Sequence, residues 1–567
     1  MSLHTSHTPR LLYGGVILTM TPDFEQCSRP EALLTDADGR IAFVGSLDEA
    51  RAHARSMTTS VQERDLQGAT LLPGLIDPHS HFSGISQYFT AADLTGSTSI
   101  DDIVMRLRYF TLRRGVSTSD DGVILGVGYD THLIAERRHP NRHDLDRVST
   151  DVPVLAVHVS SHMLVANSKA LDIAGITRDT PDPAGARFGR EADGTPDGLC
   201  QEPNAIFAVY RALGSRLDVD PLALADDIQD EYLSHGITTA QDGATTAGWA
   251  DNLDTLAQRE RLRLDVVSYP MYGEPVADIL AQHRYYVGPR YVNHLRIGGL
   301  KLILDGSPQG RTAWVSEAYI PGPEGTDFHG NQAVGDDAAY DFARTAIDSG
   351  LQLMAHCNGD AASEQFLDVY EHAYADSPNA HKDGLRPVMV HCQLTRRDQF
   401  ARMPALHMVP SFFVSHCWYW GDAHLRNFGP ARGRRISAVR DAADFALPFT
   451  FHTDSPIIRP NLLEAVWCAA SRRTSNGVLL DESQRIGVAD GLRAITVNAA
   501  FQYGEEHDKG TLEAGKLADL CVLERNPLTV PISDDGAPEP SLRDIHVVRT
   551  YKEGDQVWPR NEDESSV

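Results

Sequence analysis

The sequence predicts an α/β fold: a TIM-like (β/α)₈ barrel with a large insertion after strand 1, plus a small β-sandwich domain built from both chain ends. Three observations lead to this prediction. Eight short apolar runs alternate with segments of helical composition in the middle of the chain. About 150 residues separate the first run from the second, which is too long for a simple loop. Both ends of the chain read as short strands joined by Gly and Asp turns.

Strand-like sequence lies at both ends of the chain. Strand-like runs occupy residues 10–20 and 31–45 at one end and residues 517–524 and 545–558 at the other. The sequence DADGR predicts a tight turn inside the second run, and EGD predicts a hairpin inside the last. We therefore expect residues 1–68 and 505–567 to form one β-sandwich domain.

The central apolar runs are the candidate barrel strands. In chain order they cover residues 69–77, 236–243, 263–270, 295–306, 351–357, 386–392, 407–413 and 449–456. Helical segments between them include 222–235 and 338–350, and Gly350 is a typical helix stop. The barrel is expected to span residues 69–504, with an inserted subdomain at about 85–220 that has strands of its own.

Composition limits the class of partner. A chain of 567 residues exceeds one ordinary core, and 42% hydrophobic with 23% charged residues is typical of a soluble globular protein. The formal net charge of -27 argues against nucleic acid and anionic membranes as partners. A small-molecule partner is the expectation that remains.

The cysteines and the N-terminus bear on the compartment. The seven cysteines form no CxxC pair, so reduced thiols are favoured over a disulfide framework. The start MSLHTSHTPR lacks the layout of a signal peptide, and no apolar run reaches the roughly 18 residues that a membrane span needs. The sequence thus predicts a cytoplasmic protein.

Histidines and an aspartate follow several of the predicted strands. His79 and His81 end the first strand, His356 the fifth, His391 the sixth, and Asp454 lies in the eighth. Residues two apart on a strand point to the same side, and the carboxyl ends of barrel strands meet at one open mouth. Imidazole together with carboxylate suits Zn²⁺ and similar divalent ions. These residues are therefore the candidate ligands of one or two metal ions.

Lys301 lies in the fourth apolar run, LKLILDGS. An unpaired lysine inside a barrel is costly or loses its proton, and a neutral amine can react with carbon dioxide to give a carbamate that bridges two metals. The alternative interpretation is that Lys301 pairs with Asp305 or Glu202, or contacts substrate. Asp305 is a further acidic candidate at the same strand end, and we expect it to contact substrate.

The motifs around these residues resemble the amidohydrolase superfamily. The similarity lies in PGLIDPHSH at the first strand, the histidines that end strands five and six, Asp454, and the segment KGTLEAGKLADLCVLERNPL at 509–528. HCNGD, HCQL, LKLILDGS and the large insertion resemble the YtcJ-like branch, amidohydrolase family 3, which includes N-substituted formamide deformylases. The resemblance extends across nearly the whole chain.

This resemblance implies a metal-dependent hydrolase of a non-peptide C–N bond in a small molecule. An N-substituted formamide or another N-acyl compound is the implied substrate. Asp454 would bind metal, accept the proton of the attacking water and pass it to the leaving nitrogen, while His391 would help to polarise the amide carbonyl. Proteins of this scaffold commonly form homodimers, so a homodimer is a further expectation.

Other residues are candidates for binding substrate. The resemblance assigns such a place to His162 and Asn167 in SSHMLVANSKAL and to Glu202 in a lid segment. Trp418 belongs to the aromatic loop SFFVSHCWYWGD, which either forms an apolar pocket or packs against the insertion. Arg311 either meets a substrate carboxylate or pairs with a surface acid.

Competing functions remain open at this point. A cyclic-amide hydrolase or an aminohydrolase would use the same scaffold, although the deaminase pattern of an acid three residues after a strand-end histidine is absent, because Gly359 and Leu394 stand there. A phosphoester hydrolase would use the same metal platform. A catalytically inactive scaffold is disfavoured because the full set of candidate ligands is present.

Overall fold

The computed structural model describes residues 7–25, 29–114, 122–131, 133–183, 185–217, 221–322 and 325–560. Over these ranges the chain has an α/β fold, as predicted. No helix within them is both long and apolar enough to span a bilayer. The six cysteines that fall in the described ranges are free and buried, and Cys27 lies outside those ranges.

The central strands form two parallel sheets. Four strands make the first, in the spatial order Leu295–Ile297, Asp265–Pro270, Ile237–Thr245 and Leu75–Ile76. Five strands make the second, in the order Gly299–Ile303, Gln352–Cys357, Val388–His391, Val409–Phe412 and Thr450–Phe451. Every strand pair is parallel and nearly all of these residues are buried, which is what continuous apolar runs predict.

Backbone contacts join the two parallel sheets on both sides. On one side Met271 forms a parallel bridge with Lys301, and the Tyr272 N–H donates to the Lys301 carbonyl at 2.8 Å. On the other side the Asp454 N–H donates to the carbonyl of His79 at 3.1 Å. His79, Asp454 and Lys301 therefore lie at the seams where strands from different sheets meet.

Two of the predicted strands are divided by glycine. The run 295–306 becomes two strands because Gly298 lies between them, where a Cβ would come within 2.6 Å of Val267 Cγ1. The run 69–77 divides at Gly74: the Gly74 N–H donates to the Asp519 carbonyl, whereas the Leu75 N–H donates to the Gly236 carbonyl. Strand Thr70–Pro73 thus pairs with the C-terminal strand Leu520–Leu523, not with the central sheets.

Helices follow the central strands. They are Pro221–Leu233, Ala247–Gln258, Val276–Gln282, Asp336–Asp348, Asp360–Asp376, Arg397–Phe400, His416–Gly433, Val439–Asp444, Leu462–Ser471, Val488–Ala494 and Val497–Gln502. Gly350 follows the fourth of these with φ +69°, as the predicted helix stop requires. Short 3₁₀ helices also occur, at Phe82–Ser86, Gly214–Leu217, Arg284–Tyr286, Lys382–Gly384, Met403–Leu406, Glu482–Gln484, Pro527–Thr529 and Pro540–Leu542.

The segment between the first two central strands has a sheet of its own. Its spatial order is Arg187–Arg190, Pro196–Gln201, Met163–Ala166, Val154–His158, Ile124–Tyr129 and Ala92–Asp93. Its helices are Gln87–Thr90, Ile100–Arg114, Arg142–Asp146, Ser168–Ala174 and Pro203–Leu213. Separate apolar clusters lie on the two faces of this sheet, which agrees with the expectation that the insertion has strands of its own.

The chain ends form two further sheets. One contains Ile41–Gly45, Ala32–Thr35, Arg10–Tyr13 and Gln62–Asp65, with helix Leu47–Ser56 beside it. The other contains Val16–Ile17, Thr70–Pro73, Leu520–Leu523, Val547–Lys552 and Asp555–Trp558. The last two strands are the predicted EGD hairpin, and residues of both sheets share one apolar cluster that includes Leu12, Leu33 and Leu520.

Candidate metal centre and active site

His79 is held by a hydrogen bond that fixes which ring nitrogen is free. Its Nδ1 donates to Gln241 Oε1 at 2.5 Å, and the Gln241 amide is oriented because its Nε2 donates to the Pro78 carbonyl at 3.0 Å. The lone pair of His79 is therefore on Nε2, and this neutral tautomer can bind a metal ion through Nε2. The His79 side chain is buried, and no sequence pattern had predicted Gln241 as its partner.

Asp454 brings a carboxylate to both histidines of the first strand. Its Oδ1 lies 3.4 Å from His79 Nε2 and 3.3 Å from His81 Nε2. Ligand atoms of the three residues lie within 4.8 Å of one another. Two nitrogens and an oxygen at this separation can bind a single divalent ion.

Lys301, at the other junction between the two sheets, lies next to His79 and Asp454. Its Nζ lies 3.1 Å from His79 Nε2, and the side chain is only 1% exposed. Burial lowers the pKa of the Lys301 ammonium to about 8, although the Asp454 carboxylate acts in the opposite direction. A substantial fraction of this amine is therefore neutral near pH 8.

His356 and His391 form a second pair of nitrogens beside the first group. His391 Nε2 lies 2.9 Å from His356 Nδ1. His356 Nε2 lies 3.2 Å from the Gly306 carbonyl oxygen and 2.9 Å from Asn358 Nδ2. Two imidazole nitrogens thus approach one another, as they do on either side of a cation.

His452, two residues before Asp454, extends this row of imidazoles. Its Nε2 lies 3.2 Å from His391 Nδ1, and its Nδ1 lies 2.8 Å from Ser411 Oγ. A proton on His391 Nδ1 is then shared with His452, which leaves His391 Nε2 free for a ligand. Such second partners commonly set the orientation of metal-binding histidines.

The buried histidines are held in their neutral form. Burial, reinforced by charge repulsion from neighbouring groups such as Lys301 and one another, lowers the pKa of His79, His356, His391 and His452 well below the usual value. Neutral imidazole is the state that coordinates a metal.

Three residues at the site have unusual backbone angles. Asp454 has φ +56°, His391 has φ +79° and Glu202 has φ +69°. A non-glycine residue in this region costs about 1–3 kcal/mol and persists where the surrounding structure enforces it, commonly at functional sites. The backbone is therefore strained at the residues that carry the candidate chemistry.

His162 and Glu202 from the insertion form a buried ion pair at the edge of the site. His162 Nδ1 lies 2.8 Å from Glu202 Oε2, and the His162 ring centre lies 5.2 Å from that of His356. Burial acts to lower the pKa of His162, but the Glu202 carboxylate more than compensates, so that the pKa is raised. When it is protonated, this imidazole can donate a hydrogen bond to a substrate oxygen.

Asp305 is buried behind His356. Its carboxylate accepts hydrogen bonds from the backbone N–H groups of Trp314, Asn358 and Gly359 at 2.7–3.0 Å, and its Oδ1 lies 3.5 Å from His356 Nε2. Burial raises the pKa of Asp305 to about 8, even though these hydrogen bonds act to lower it. The geometry favours a role in orienting His356 over the predicted contact with substrate.

Three of the predicted substrate-binding residues contact their own part of the chain: Asn167, Arg311 and Trp418. Asn167 Oδ1 caps the helix Ser168–Ala174, and its Nδ2 donates to two backbone carbonyls. The Arg311 guanidinium donates to the Ile320 carbonyl, and the Trp418 ring packs 5.0 Å from that of Trp467. Each side chain thus has a partner in its own part of the chain, and contact of the three with substrate stays a prediction from the sequence.

The cleft next to the candidate ligands has further residues that the sequence did not single out. It is lined by Ser160, His162, Ser307, Gln309, His356, Asn358, His391, Phe413, His416, Asp454 and Ile457. Phe413 and His416 do come from the aromatic loop, but from its start, two to five residues before Trp418. His416 and Trp418 both lie in the helix His416–Gly433, so tertiary packing and not the aromatic pattern decides which of these side chains lines the cleft.

A comparison with protein families decides the class. The profile of the Amidohydrolase family matches residues 62–558. The chain belongs to this family. Membership supports a hydrolase, and the family's metal dependence is in keeping with the cluster of His79, His81 and Asp454.

Individual amidohydrolases resemble this one over most of its length. The amidohydrolase YtcJ of Bacillus subtilis (strain 168) is 27% identical over 550 residues, which cover 91% of this chain and 94% of YtcJ. The N-substituted formamide deformylase of Arthrobacter pascens is 26% identical over 544 residues, which cover 91% and 93%. Among solved structures, a metal-dependent hydrolase from Pyrococcus horikoshii OT3 superposes with a TM-score of 0.73 at 23% identity, over 92% of this chain and 99% of that one. This last similarity shows a shared fold.

Proposed function

We propose that this amidohydrolase is a metal-dependent enzyme that hydrolyses a non-peptide C–N bond in a small amide. The observation that carries the proposal is the convergence of His79, His81, Lys301 and Asp454, with the facing nitrogens of His356 and His391 beside them. Residues from widely separated parts of the chain meet here, and their free lone pairs have no comparable use in a merely structural role.

The donor set fits one or two divalent ions. His79, His81 and Asp454 would hold one ion, and His356 and His391 would hold a second. Neutral imidazoles with one carboxylate suit Zn²⁺. A bound divalent ion in such a site supplies an acidified water and a polarised carbonyl.

Lys301 is proposed to bridge the two ion positions as a carbamate. Its neutral amine nitrogen attacks the carbon of CO₂, an N–C bond forms, and the nitrogen loses a proton to solvent. The product is an anion in place of a buried cation, which relieves the repulsion between an ammonium and nearby metal ions. The lowered pKa of Lys301 supports this proposal, because the amine must be neutral to react.

The side chains of the cleft have distinct proposed roles in hydrolysis. Asp454 takes the proton of the attacking water on a carboxylate oxygen and gives it to the leaving nitrogen. His391 helps to polarise the amide carbonyl. The imidazolium of His162, held by Glu202, donates a hydrogen bond to the oxygen on which negative charge develops.

The proposed substrate is an N-substituted formamide or a related N-acyl compound. The similarity to the formamide deformylase of Arthrobacter pascens supports this choice. Phe413 and Ile457 line the cleft and offer an apolar wall for an alkyl or aryl group. The small-molecule substrate is the partner for which the site is proposed, and a homodimer in the cytoplasm remains a prediction from the sequence.

We also propose that the two central sheets are one closed (β/α)₈ barrel and that the terminal sheets form a β-sandwich. The backbone contacts at both seams support closure. The pairing of Thr70–Pro73 with the C-terminal strand favours a domain change at Gly74, a few residues later than the predicted boundary at 68 and 69.

The test is a substrate panel with metal analysis. N-formyl, N-acyl and lactam compounds are incubated with protein purified in the presence of Zn²⁺, and acid and ammonia are measured separately. We expect about one to two divalent ions per chain and release of formate or another acid. Release of ammonia alone would favour an aminohydrolase, and full activity in protein shown to contain no metal would refute the proposal.

A further inference from the structure

Three buried polar side chains of the cleft carry an oxygen that is unpaired within the described part of the chain. They are Ser307 Oγ, Gln309 Oε1 and Asn358 Oδ1, in side chains whose residues are 3%, 4% and 4% exposed. All three residues line the same cleft as His391 and Asp454. Buried polar atoms are nearly always paired in folded proteins, so three together indicate a missing ligand group.

The loop that carries two of these side chains is fixed by its own hydrogen bonds. The Ser307 N–H donates to Thr312 Oγ1 at 2.9 Å. Asn427 Nδ2, from the helix His416–Gly433, donates to the carbonyls of Pro308 and Gln309 at 3.0 and 3.3 Å. The backbone is thus satisfied and held, while the side-chain oxygens are left for a ligand.

The orientation of the Asn358 amide is also determined. Its Nδ2 donates to the Gly306 carbonyl at 2.8 Å. Rotation of the amide by 180° would bring two carbonyl oxygens together, so the unpaired atom is the oxygen and not the nitrogen. A group that binds here must therefore donate a hydrogen bond.

We propose that Ser307, Gln309 and Asn358 form a subsite that accepts a hydrogen bond from the N–H of the substrate amide. This inference rests on the proposed function and narrows its substrate to secondary amides, which carry one N–H and one N-substituent. Phe413 and Ile457 of the same cleft receive the substituent. The single N–H of a secondary amide can pair with one of these acceptors, whereas a tertiary amide pairs with none, so the site selects against tertiary amides.

The closing experiment compares N-butylformamide with N-butyl-N-methylformamide. We expect the unmodified enzyme to prefer the secondary amide by at least ~100-fold in kcat/KM. Gln309→Met should lower kcat/KM for the secondary amide at least ~10-fold and change that for the tertiary amide less than ~2-fold. Gln258→Met, on the exposed face of the helix Ala247–Gln258, is the matched control and should change neither.

The melting temperature of the variant separates a binding role of Gln309 from a structural role. Gln309→Met removes an unpaired buried amide oxygen, so its melting temperature should equal or exceed that of the unmodified protein, and a sharp decrease would show that Gln309 is structural. Equal hydrolysis of both amides, or an unchanged ratio in Gln309→Met, would overturn the subsite and leave the proposed function standing.

Binding measurements separate failure of the proposed subsite from failure of the proposed hydrolysis. If neither formamide is hydrolysed, both are titrated calorimetrically into Asp454→Asn protein. Binding of the secondary amide at least ~10-fold tighter than the tertiary one, with the difference lost when Gln309→Met is added, would support the subsite alone. Equal binding, or none, would overturn it.

Discussion

Single hydrogen bonds at the candidate centre decide which atoms are available for chemistry. Gln241 Oε1 holds the proton of His79 on Nδ1. The free lone pair of His79 therefore lies on Nε2, on the side of Asp454 and Lys301. A correct tautomer is a property of one residue and its partner, and it is lost if the partner is replaced.

Loss of a ligand should abolish turnover without unfolding the chain. His79→Ala and Asp454→Asn each remove one donor of the candidate metal group, and we expect kcat to fall at least ~1000-fold. Metal analysis should show fewer ions per chain, while circular dichroism stays unchanged. Full activity in either variant would contradict the assigned roles.

Lys301 should make reconstitution of the metal-free protein depend on CO₂ and on pH. Because burial lowers the pKa of Lys301 to about 8, the reactive neutral amine dominates above that pH and is scarce below pH 7. At a constant concentration of dissolved CO₂, activity should therefore return faster at pH 8.5 than at pH 6.5. Short carboxylic acids should partly restore Lys301→Ala, and no response to CO₂ or to acids would favour a site with a single ion.

Polar residues of one element can face the cleft or can stabilise only the element itself. The insertion contributes the His162–Glu202 pair to the cleft, but Asn167, only five residues later, starts a helix. Its Oδ1 accepts from the N–H groups of Ala170 and Val154 at 2.9 and 3.0 Å. A polar residue close in sequence to a functional one can thus serve its own element alone.

Replacement of Asn167 should affect stability and spare catalysis. Asn167→Ala removes a helix cap and the hydrogen bonds to strand Val154–His158, and we expect a loss of about 1–2 kcal/mol in the free energy of unfolding. Urea denaturation measures the loss, and kcat/KM should stay within ~2-fold. His162→Ala is the matched comparison, in which catalysis should fall, and a fall of similar size in both variants would restore Asn167 to the substrate site.

At the scale of the whole molecule, a buried network of charges joins the central sheets to the C-terminal part of the chain. Lys509 Nζ lies 2.6 Å from Asp265 Oδ2 and 2.7 Å from Glu505 Oε2, and Lys552 Nζ lies 2.8 Å from the same Asp265 oxygen. Burial acts to raise the pKa of Asp265, but the two ammonium groups outweigh it and hold the pKa well below its usual value. Breaking such a network leaves an uncompensated charge in the interior.

Lys509→Met should destabilise the protein by about 3–5 kcal/mol at neutral pH. Because the pKa of Asp265 is lowered on folding, its contribution to stability is full above the unfolded value of about 4 and is lost as the pH falls below it. The pKa of Lys509 is raised, so its contribution is full below about pH 10 and is lost at higher pH.

Melting temperatures across this pH range provide the measurement. In the variant the acid-side loss of stability that Asp265 causes should be smaller and complete at a higher pH, because the folded-state pKa of Asp265 then lies closer to its unfolded value. The exposed pair Arg51 and Glu63 offers the control: Arg51→Met should leave the melting temperature unchanged. A melting temperature equally unaffected in Lys509→Met would show that the network does not join the parts of the chain.

The sequence by itself determined the α/β class, the approximate strands and the candidate ligands. Apolar runs of strand length are local patterns, and a histidine or aspartate at the end of such a run is assigned a position by its strand. His79, His81 and Asp454 could be named together for this reason, and so could His356 and His391. The family resemblance rested on the same motifs, and the Amidohydrolase profile confirmed it.

Only the tertiary structure decided which side chains face the cleft and which support their own element. Gln241, His452, Ser307 and Gln309 lie in unremarkable sequence, and Asn167 and Trp418 lie in sequence that indicated a site. The direction of a loop side chain and the partner of a buried amide depend on contacts between residues far apart in the chain, about which local pattern carries no information. The strand ends were therefore readable from the sequence, whereas the hydrogen bonds that prepare each ligand were not.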